Sequence, residues 1–421
     1  MSNVLLTLKE RGLFDDCTSP ALEEALDTPL TMYAGFDPTN SSLQAGNFVT
    51  IMALCHFQRA GHKVLALVGG ATGLIGDPSG KTSERQLLTE EQVEHNLVGI
   101  KENLSRFLDF SERGNGASLV NNYDWHKNFS FVAYLRDVGR YFRMGSMLSK
   151  ESVKARLNSD SGMSFTEFCY QTLQGYDFLH LYDQHNCRLQ IGGSDQWGNI
   201  TAGTELIRRQ RGAEAFGLTF PLVTDSQGRK FGKSEGNAIY LDHRQTSYYD
   251  FYQFFLRTED ADVCRYLRVF TFMPLEEIAA LEETVREQPE KREAQRILAE
   301  DLTRRVHGEH GLNVAQRATE VLFGGSMAGM GAEDLLPIFA NVASSTLSRE
   351  ELIGKTVVEA AAASGLCKSR GEARRLADNG GLYLNNERVG SADLIADTHA
   401  IDGQLLVLRS GRKNYHLVRL G

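Results

Sequence analysis

The chain has 421 residues, of which 42% are hydrophobic and 24% charged, and its net charge is −9. This length exceeds a single compact core and predicts two or three domains. No stretch approaches the roughly 18 apolar residues of a membrane-spanning helix, which excludes that class of membrane protein. The six cysteines are widely spaced and form no C-x-x-C pair, so they indicate neither a zinc site nor a disulfide framework.

The first twenty residues bear on the location of the protein. They include Glu10, Asp15 and Asp16 and contain no apolar core, which argues against a transit peptide and a secretory signal. Cysteine usage also fits a reducing compartment. We therefore expect a cytoplasmic protein that does not associate with a membrane.

Charge is unevenly distributed along the chain. Residues 354–421 hold ten Lys/Arg and seven Asp/Glu, so this segment has a charge of +3 and the rest of the chain −12. A small basic module on an acidic body is one way to confine RNA contact to a chosen surface. Chance imbalance explains the same numbers equally well.

The first half of the chain alternates strand-like runs with helical patterns, which predicts a parallel sheet covered by helices. A helix is predicted from about Asn47 to Ala60. Two of the runs end in glycine pairs, which let a ligand approach the strand ends where such sheets bind ligands. The strand-like runs are Thr31–Phe36, Lys63–Val68 and Arg188–Ile191.

Beyond about Leu241 the pattern becomes helical, with helix starts predicted near Thr246-Ser247, Pro274 and Pro289. Residues 324–349, rich in Gly, Ala, Ser and Met, resemble a linker with a short helix. The chain then ends in a small module. Its predicted parts are a helix capped at Ser369 and a strand-turn-strand over residues 382–389.

The motif with the clearest chemistry is Lys230-Phe231-Gly232-Lys233-Ser234. Two lysines on a glycine-rich loop can close over a triphosphate. As an isolated pattern the motif is weak, because most lysine-rich loops are merely solvated. Further motifs accompany it here: Gly35-Phe36-Asp37-Pro38-Thr39, Ala66–Gly73, Gly76-Asp77-Pro78-Ser79 and Gly192–Asn199.

Together these motifs resemble the bacterial tyrosyl-tRNA synthetases, which are class I enzymes, and the resemblance covers residues 5–418. It implies an α/β, Rossmann-like parallel-sheet catalytic domain, an all-α domain on the anticodon side, and a small α+β, S4-like RNA-binding domain. It also implies tyrosine, ATP and tRNA(Tyr) as substrates, and a homodimer. The expected boundaries are 1–222 for the catalytic domain, 223–247 for a linker with the signature loop at 230–234, 248–323 for the helical domain, 324–353 for a second linker and 354–421 for the S4-like domain.

Selecting tyrosine over phenylalanine requires partners for one phenolic hydroxyl, which donates one hydrogen bond and accepts another. The resemblance places Tyr33 and Asp177 there, the first as donor and the second as acceptor. Phenylalanine would leave the buried carboxylate unpaired, so no editing domain is expected. Without the accompanying motifs, Tyr33 would be interpreted as strand packing and Asp177 as a solvated helix residue.

The resemblance also assigns acceptors for the substrate ammonium, namely Asp77, Tyr170 and Gln174, with Gln196 as a polar neighbour. The spacing of Tyr170, Gln174 and Asp177 would bring all three to one face of a helix from about Thr166 to Leu181. An ordinary amphipathic helix has the same spacing. Its polar residues would then be buried without a partner, which favours a site.

For ATP, the resemblance places Asp195 at the ribose, with Gly192 and Gly193 allowing its close approach. Adenylate formation needs positioning and cations around the leaving pyrophosphate rather than a protein nucleophile. Mg²⁺ is expected to enter with ATP, and neither a prosthetic group nor a metal site is expected. The residues implied in catalysis are Lys230, Lys233, Lys81, Arg85, Thr39 and Gln44, and those implied in ATP binding are Asp37, Gly46, Asn47, Gly192, Gly193, Asp195, Lys233 and Ser234.

The chain departs from the class at one motif. Class I enzymes carry a HIGH tetrapeptide, and here Gln44-Ala45-Gly46-Asn47 stands in its place without either histidine. Gln44 and Asn47 can each donate a side-chain N–H, and Gly46 keeps the close backbone approach. Two alternatives to an ordinary tyrosine enzyme stay open. One is a tryptophanyl-tRNA synthetase, because that family shares the architecture, and the other is a paralogue that has lost catalysis with the two histidines and binds tyrosine or RNA.

RNA contact is expected in the C-terminal module, where basic side chains are candidates for phosphate binding. Solvated surface is the competing interpretation for any one of them. The candidates are Arg370, Arg374, Arg375, Arg412 and Lys413.

Overall fold

The computed structural model describes residues 3–79, 88–112, 114–158, 162–234, 237–340 and 342–421, with the backbone alone at residues 152, 233, 234 and 237. The chain forms two compact units. One comprises Met1–Thr246 with Phe254–Val306, and the other Ser247–Gln253 with His307–Gly421. Within the described ranges, no helix is both long and apolar enough to cross a membrane.

A six-stranded sheet forms the centre of the first unit, in the order β1-β6-β5-β2-β3-β4. Five strands are parallel, and only the edge strand β1 is antiparallel to its neighbour. From β2 the chain moves outward through β3 to β4, then returns to the other side for β5 and β6. The neighbours β2 and β5 therefore form the switch point where doubly wound folds bind ligands. The strands are β1 Asp16–Cys17, β2 Thr31–Phe36, β3 Lys63–Val68, β4 Ser118–Asn121, β5 Cys187–Gly193 and β6 Phe216–Phe220.

Helices cover this sheet because their apolar residues face it. Nine of the twelve residues of α3 are buried, and the long helix α10 packs along α11. Ser164 caps the start of α10 by accepting a hydrogen bond from the Glu167 N–H, and Asn186 ends it in the left-handed conformation (φ 50°). The helices are α1 Val4–Arg11, α2 Leu22–Ala25, α3 Phe48–Arg59, α4 Thr72–Ile75, α5 Glu90–Leu104, α6 Tyr123–His126, α7 Phe131–Asp137, α8 Met144–Leu148, α9 Glu151–Leu157, α10 Phe165–His185 and α11 Trp197–Arg211.

After the sheet comes a short antiparallel pair, and then four helices. Strands β7 Lys233–Ser234 and β8 Asn237–Ala238 form the pair and contain the end of the lysine motif. Ser247 accepts a hydrogen bond from the Asp250 N–H at the start of the first helix, as the sequence predicts. The helices are α12 Tyr248–Leu256, α13 Asp260–Phe270, α14 Leu275–Glu287 and α15 Glu293–Leu322, with a non-helical residue at Gly308.

The second unit contains a five-stranded sheet in the order β11-β10-β12-β13-β9. The turn between β10 and β11 has positive φ at Asn385 (48°) and Asn386 (65°), which is the geometry of a tight hairpin turn. Helix α19 is capped by Ser369 as predicted. The elements are α16 Ala332–Ile338, β9 Ala343–Leu347, α17 Arg349–Leu352, α18 Val357–Ala363, α19 Arg370–Asp378, β10 Leu382–Leu384, β11 Glu387–Arg388, β12 Leu405–Ser410 and β13 Asn414–Leu420.

The predicted fold class is confirmed: a Rossmann-like parallel sheet, a helical part and a C-terminal domain with a small sheet. The boundaries in the second half differ from the predicted ones. Residues 324–353, predicted as a linker, supply α16 and β9 to the second unit, where Leu335 and Phe339 are buried in a core with Val407 and Tyr415. The helical stretch 248–323 is shared between the two units.

Candidate active site

A cleft of about 390 Å³ opens at the carboxyl ends of β2 and β5, the switch point of the sheet. Most of the predicted site residues line it, although they come from four separated segments of the chain. Its volume lies within the range of small-molecule sites. The predicted residues that line the cleft are Tyr33, Asp37, Thr39, Gln44, Gly46, Asn47, Asp77, Tyr170, Gln174, Asp177, Gly192, Gly193, Asp195 and Gln196.

Asp177, on α10, lines the cleft and is only 1% exposed. Its Oδ1 accepts hydrogen bonds from Trp125 Nε1 and His126 Nε2, both at 2.8 Å. Its Oδ2 accepts one from Asn122 Nδ2 at 3.0 Å. Three donors therefore hold a buried carboxylate in one orientation, and Oδ2 retains capacity for a further donor.

Tyr33, on β2, lies close to this carboxylate and is 1% exposed. No atom of the described residues hydrogen-bonds to its hydroxyl. Burial and the negative charge of Asp177 raise the pKa of this phenol well above its usual value. The hydroxyl is therefore protonated, and it can donate to a ligand in the cleft.

The other polar cluster contains Asp77, Tyr170, Gln174 and Gln196. Gln196 Nε2 donates to Asp77 Oδ2 at 2.6 Å, and Gln174 Nε2 donates to Gln196 Oε1 at 3.3 Å. This orientation of the amides leaves Gln174 Oε1 as an acceptor. The Tyr170 hydroxyl donates to Asp37 Oδ2 at 2.8 Å, so its oxygen can still accept. The cluster thus presents acceptors suited to an ammonium group.

Hydrogen bonds connect the two ends of the cleft. Asn122 Nδ2 donates to Thr72 Oγ1 at 3.0 Å, and Thr72 Oγ1 donates to Asp37 Oδ1 at 2.9 Å. Gly69 explains how these groups meet, because a Cβ there would lie 2.3 Å from both Asp37 Oδ1 and Thr72 Oγ1. The glycine directly after β3 is therefore required by the side chains packed over it.

At the end of β5, two glycines precede the turn that carries Asp195. A Cβ on Gly193 would lie 2.7 Å from Asp195 Oδ1, and one on Gly192 would lie 3.0 Å from Gln196 Cβ. Residues with side chains would displace both polar groups. The backbone of the two glycines and the Asp195 carboxylate therefore line the cleft side by side. Such an arrangement can bind two neighbouring hydroxyl groups of a sugar.

The segment Gln44–Asn47 lies in the cleft against the lysine motif. Asn47 Oδ1 accepts a hydrogen bond from the Gln44 N–H at 2.9 Å. The side-chain NH₂ group of Asn47 therefore takes no part in this bond with the Gln44 backbone. The Ala45 N–H donates to the Ile239 carbonyl at 2.7 Å. Gly232 has φ 87°, and a Cβ there would lie 2.6 Å from the Gly46 nitrogen. The two segments are therefore in backbone contact.

Phe231 anchors the lysine motif. Its ring stacks on Phe270 with a centroid distance of 4.7 Å and an interplanar angle of 26°, and it meets Tyr266 at 4.9 Å. The Phe231 N–H donates to the Val223 carbonyl at 3.1 Å. Helix α13 therefore fixes the backbone between Lys230 and Lys233. The side chains of Lys233 and Ser234, and all of Lys81 and Arg85, lie outside the described residues.

The C-terminal basic candidates all lie at the surface of the second unit. Arg370 pairs with Glu359 at 3.3 Å. Arg374 and Arg375 are exposed on α19, and Arg412 and Lys413 are exposed in the turn between β12 and β13. That turn lies near the end of α19, because the Gly411 N–H donates to the Gly381 carbonyl at 2.8 Å.

Sequence reasoning missed the residues around Asp177. Asn122, Trp125 and His126 follow β4, a strand that the sequence analysis did not predict. The signal available was the polar and aromatic run Asn121–His126 at the end of a short apolar segment. Thr72 and Gln190 also line the cleft and were not predicted.

The fold and the cleft are those of a class I aminoacyl-tRNA synthetase. The family model described as "tRNA synthetases class I (W and Y)" matches residues 25–324 and shows the same class. A second model, "Tyrosine--tRNA ligase SYY-like C-terminal domain", matches residues 334–418. The tyrosine–tRNA ligase of Protochlamydia amoebophila is 48% identical across 100% of this chain and 99% of its own length. That of Geobacillus stearothermophilus is 49% identical across 99% of each. The chain belongs to the tyrosine–tRNA ligase family.

A solved structure supports the same assignment. The C-terminally truncated mitochondrial tyrosyl-tRNA synthetase of Aspergillus nidulans is 31% identical, with a TM-score of 0.69, over 77% of this chain and 95% of its own. The resemblance identified from the sequence is therefore confirmed, together with the ligase class. The tryptophanyl alternative is not supported, since the curated relatives named above are tyrosine enzymes.

Proposed function

We propose that this chain activates L-tyrosine with ATP, forming tyrosyl-adenylate and pyrophosphate, and then transfers tyrosine to the 3′-terminal adenosine of tRNA(Tyr). The observation that carries the proposal is the pairing of Tyr33, a buried hydroxyl that has no partner within the described part of the chain, with Asp177, a carboxylate held by three donors. A phenol satisfies both, because it accepts from Tyr33 and donates to Asp177. Phenylalanine would satisfy neither.

The tyrosine ammonium binds at the opposite polar cluster. It donates to Asp77, to the Tyr170 oxygen and to Gln174 Oε1, each of which lines the cleft. These acceptors fix the amino acid at both ends. The substrate carboxylate then points toward the ends of β2 and β5, where Asp195 is placed to hold the ATP ribose.

The first step is attack by a tyrosine carboxylate oxygen on the α-phosphorus of ATP. The bond from phosphorus to the bridging oxygen of pyrophosphate breaks, and its electron pair leaves with pyrophosphate. Lys230, Lys233, Lys81 and Arg85 neutralise that charge. In the second step a ribose hydroxyl of the tRNA attacks the acyl carbon, and AMP leaves.

ATP binding without the two histidines depends on Gln44 and Asn47. Because Asn47 Oδ1 already accepts from the Gln44 N–H, its amide nitrogen is the group available to a phosphate or ribose oxygen. Gly46 and Thr39 complete this surface, which lies within the cleft. Mg²⁺ enters with ATP on phosphate and water oxygens, and the described residues form no cluster of three or more metal-ligating side chains.

The decisive experiment is exchange of labelled pyrophosphate into ATP by the purified protein, with tyrosine, phenylalanine or tryptophan. Exchange with tyrosine alone is the expected result. Tyrosine binding in calorimetry without any exchange would contradict the proposal and favour a non-catalytic paralogue that binds tyrosine or RNA. An Asn47→Asp variant tests the role of the amide, because it replaces a donor by a charge that repels phosphate.

Transfer requires contact with tRNA, which we assign to the exposed basic residues of the C-terminal unit. Arg374, Arg375, Arg412 and Lys413 would contact phosphates, so replacing any pair by glutamine would weaken tRNA binding and reduce its salt dependence. Pyrophosphate exchange, which needs no tRNA, would stay unchanged. Equal loss in both assays would contradict this assignment.

We also propose a cytoplasmic location, because protein synthesis there uses the substrates proposed for this enzyme.

We also propose that the chain forms a homodimer, through an exposed apolar patch between residues 131 and 165. Seven large apolar side chains of this segment are between 41% and 74% exposed, which is unusual for a solvated surface. Sedimentation of Val132→Asp should give monomers, while Leu394→Asp, at an exposed apolar residue of the other unit, should not. The patch residues are Phe131, Val132, Leu135, Met144, Leu148, Leu157 and Phe165.

A further inference from the structure

His126 contacts the carboxylate that faces the substrate phenol. It is the last residue of α6, and its Nε2 lies 2.8 Å from Asp177 Oδ1. Its side chain is 9% exposed. A largely covered imidazole in direct contact with the specificity carboxylate calls for a functional explanation.

The direction of this hydrogen bond follows from its neighbours. Trp125 Nε1 and Asn122 Nδ2 are donors only, so Asp177 accepts from both, and a carboxylate has no hydrogen to donate in return. His126 Nε2 must therefore carry a hydrogen and donate it. The neutral Nε2–H tautomer and the imidazolium both meet this requirement.

The three donors are unequally divided between the two carboxylate oxygens. Oδ1 accepts from Trp125 and His126, which matches the two lone pairs of that oxygen. Among the residues that the structure describes, Asn122 is the one donor to Oδ2. The remaining acceptor position of Asp177 is therefore on Oδ2, and the donor that fills Oδ1 determines which oxygen a ligand hydroxyl can reach.

Aromatic packing keeps the His126 ring in place before any ligand binds. Its ring meets Tyr176 of α10 edge-on, with a centroid distance of 5.5 Å and an interplanar angle of 62°. Trp125 in turn stacks on His180 at 4.3 Å and 18°. Both donors to Oδ1 are thus fixed by rings of α10, the helix that carries Asp177 itself.

We propose that His126 is a positioning residue for tyrosine recognition. By occupying Oδ1 of Asp177, it directs Oδ2 toward the substrate hydroxyl and so increases both the affinity for tyrosine and the rejection of phenylalanine. This inference rests on the proposed function. Without the His126 N–H, Oδ1 keeps Trp125 as its donor and gains an open acceptor position, so the carboxylate is held less firmly and a substrate hydroxyl can meet either oxygen in poorer geometry.

Three substitutions separate hydrogen bonding from packing. His126→Phe keeps a ring against Tyr176 but removes the donor. His126→Gln loses the ring, but its amide nitrogen lies at nearly the same reach as Nε2. His126→Asn carries the same amide on a side chain one carbon shorter, which cannot reach Oδ1, and it provides the donor-deficient variant if the phenylalanine variant does not fold.

The measurement is tyrosine-dependent pyrophosphate exchange, with KM and kcat separated and with phenylalanine as competing substrate. We expect His126→Phe and His126→Asn to raise KM for tyrosine about tenfold, with kcat within about twofold of the parent. The preference for tyrosine over phenylalanine should fall by a similar factor. His126→Gln should restore KM to within about threefold of the parent.

Two results would overturn the inference. One is an unchanged KM in His126→Phe, and the other is a glutamine variant as impaired as the asparagine variant, which would assign the effect to packing. Calorimetric titration with tyrosine gives the same comparison without catalysis. A parent protein that binds tyrosine but exchanges no pyrophosphate would therefore refute the proposed activity while still testing His126.

Discussion

Replacing Asp177 by asparagine removes one charge and changes one oxygen to a nitrogen, at a site where three donors already converge. Whichever way the new amide turns, its NH₂ group faces a donor: Asn122 on one side, or Trp125 and His126 on the other. Asn122 cannot turn to compensate, because its Oδ1 accepts from the Ala71 N–H at 2.7 Å. With the NH₂ group at the Oδ2 position, it faces Asn122 and the acceptor for the substrate hydroxyl is lost. With the NH₂ group at the Oδ1 position, it faces the Trp125 and His126 donors instead.

The expected magnitude follows from those losses. A hydrogen bond to a charged group contributes about 1.5–3 kcal/mol, and an unmatched buried polar group costs about 1–3 kcal/mol more. Together they predict a decrease in kcat/KM for tyrosine of about 10²- to 10⁴-fold, since 1.4 kcal/mol corresponds to a factor of ten.

The assay is pyrophosphate exchange at saturating ATP and low tyrosine. Asp183→Asn is the matched control, because Asp183 lies on the same helix α10 but pairs with Arg211, at 2.6 Å, instead of lining the cleft. The control should match the parent enzyme. An Asp177→Asn enzyme within tenfold of the parent would refute the reasoning from donors and acceptors.

Three further predictions concern other parts of the first unit. Tyr33→Phe removes one neutral donor to the substrate and should raise KM for tyrosine about 2- to 10-fold at unchanged kcat; an unchanged KM in exchange kinetics would count against the proposed contact. Gly232→Ala places a Cβ 2.6 Å from the Gly46 nitrogen and should lower kcat at least about tenfold, whereas Gly228→Ala, with a similar φ (78°) but open space, should not; equal kcat values would contradict the argument. Burial lowers the pKa of His56 from 6.5 to about 4, so the unfolded chain binds this proton more readily and stability falls as the pH drops from 6.5 to 4. From pH 7.5 to 5 this lowers the free energy of unfolding by about 2 kcal/mol. In urea unfolding, the free energy of His56→Gln should fall by about 2 kcal/mol less than that of the parent over this pH range. The same fall in both proteins would refute the assignment.

The central strands were predictable because their environment is simple. β2 and β3 have the predicted bounds, since each is an apolar run buried on both faces and bounded by turn residues. β9 was not predicted, because residues 343–347 are largely exposed and carry no apolar alternation. Its pairing with β13 depends on a partner about seventy residues away, which local sequence does not show.

The same contrast applies to the cleft. Motifs identified the residues on either side of the switch point, and the structure brings fourteen of them together. The hydrogen bonds that orient them could not be predicted, because Asn122 and His126 act on Asp177 across more than fifty residues. Their roles depend on distances that only the folded chain defines.

One network of hydrogen bonds joins the two polar groups of the cleft, and it runs from Asp177 through Asn122 and Thr72 to Asp37 and Tyr170. This network fixes the distance between the groups that would bind the two ends of the substrate. Both ends belong to one bonded network, so neither can shift alone to meet a shorter or longer amino acid. An analogue with one methylene fewer or more between its phenol and its ammonium would satisfy only one end. The enzyme would then discriminate by the separation of two polar groups as well as by their chemistry.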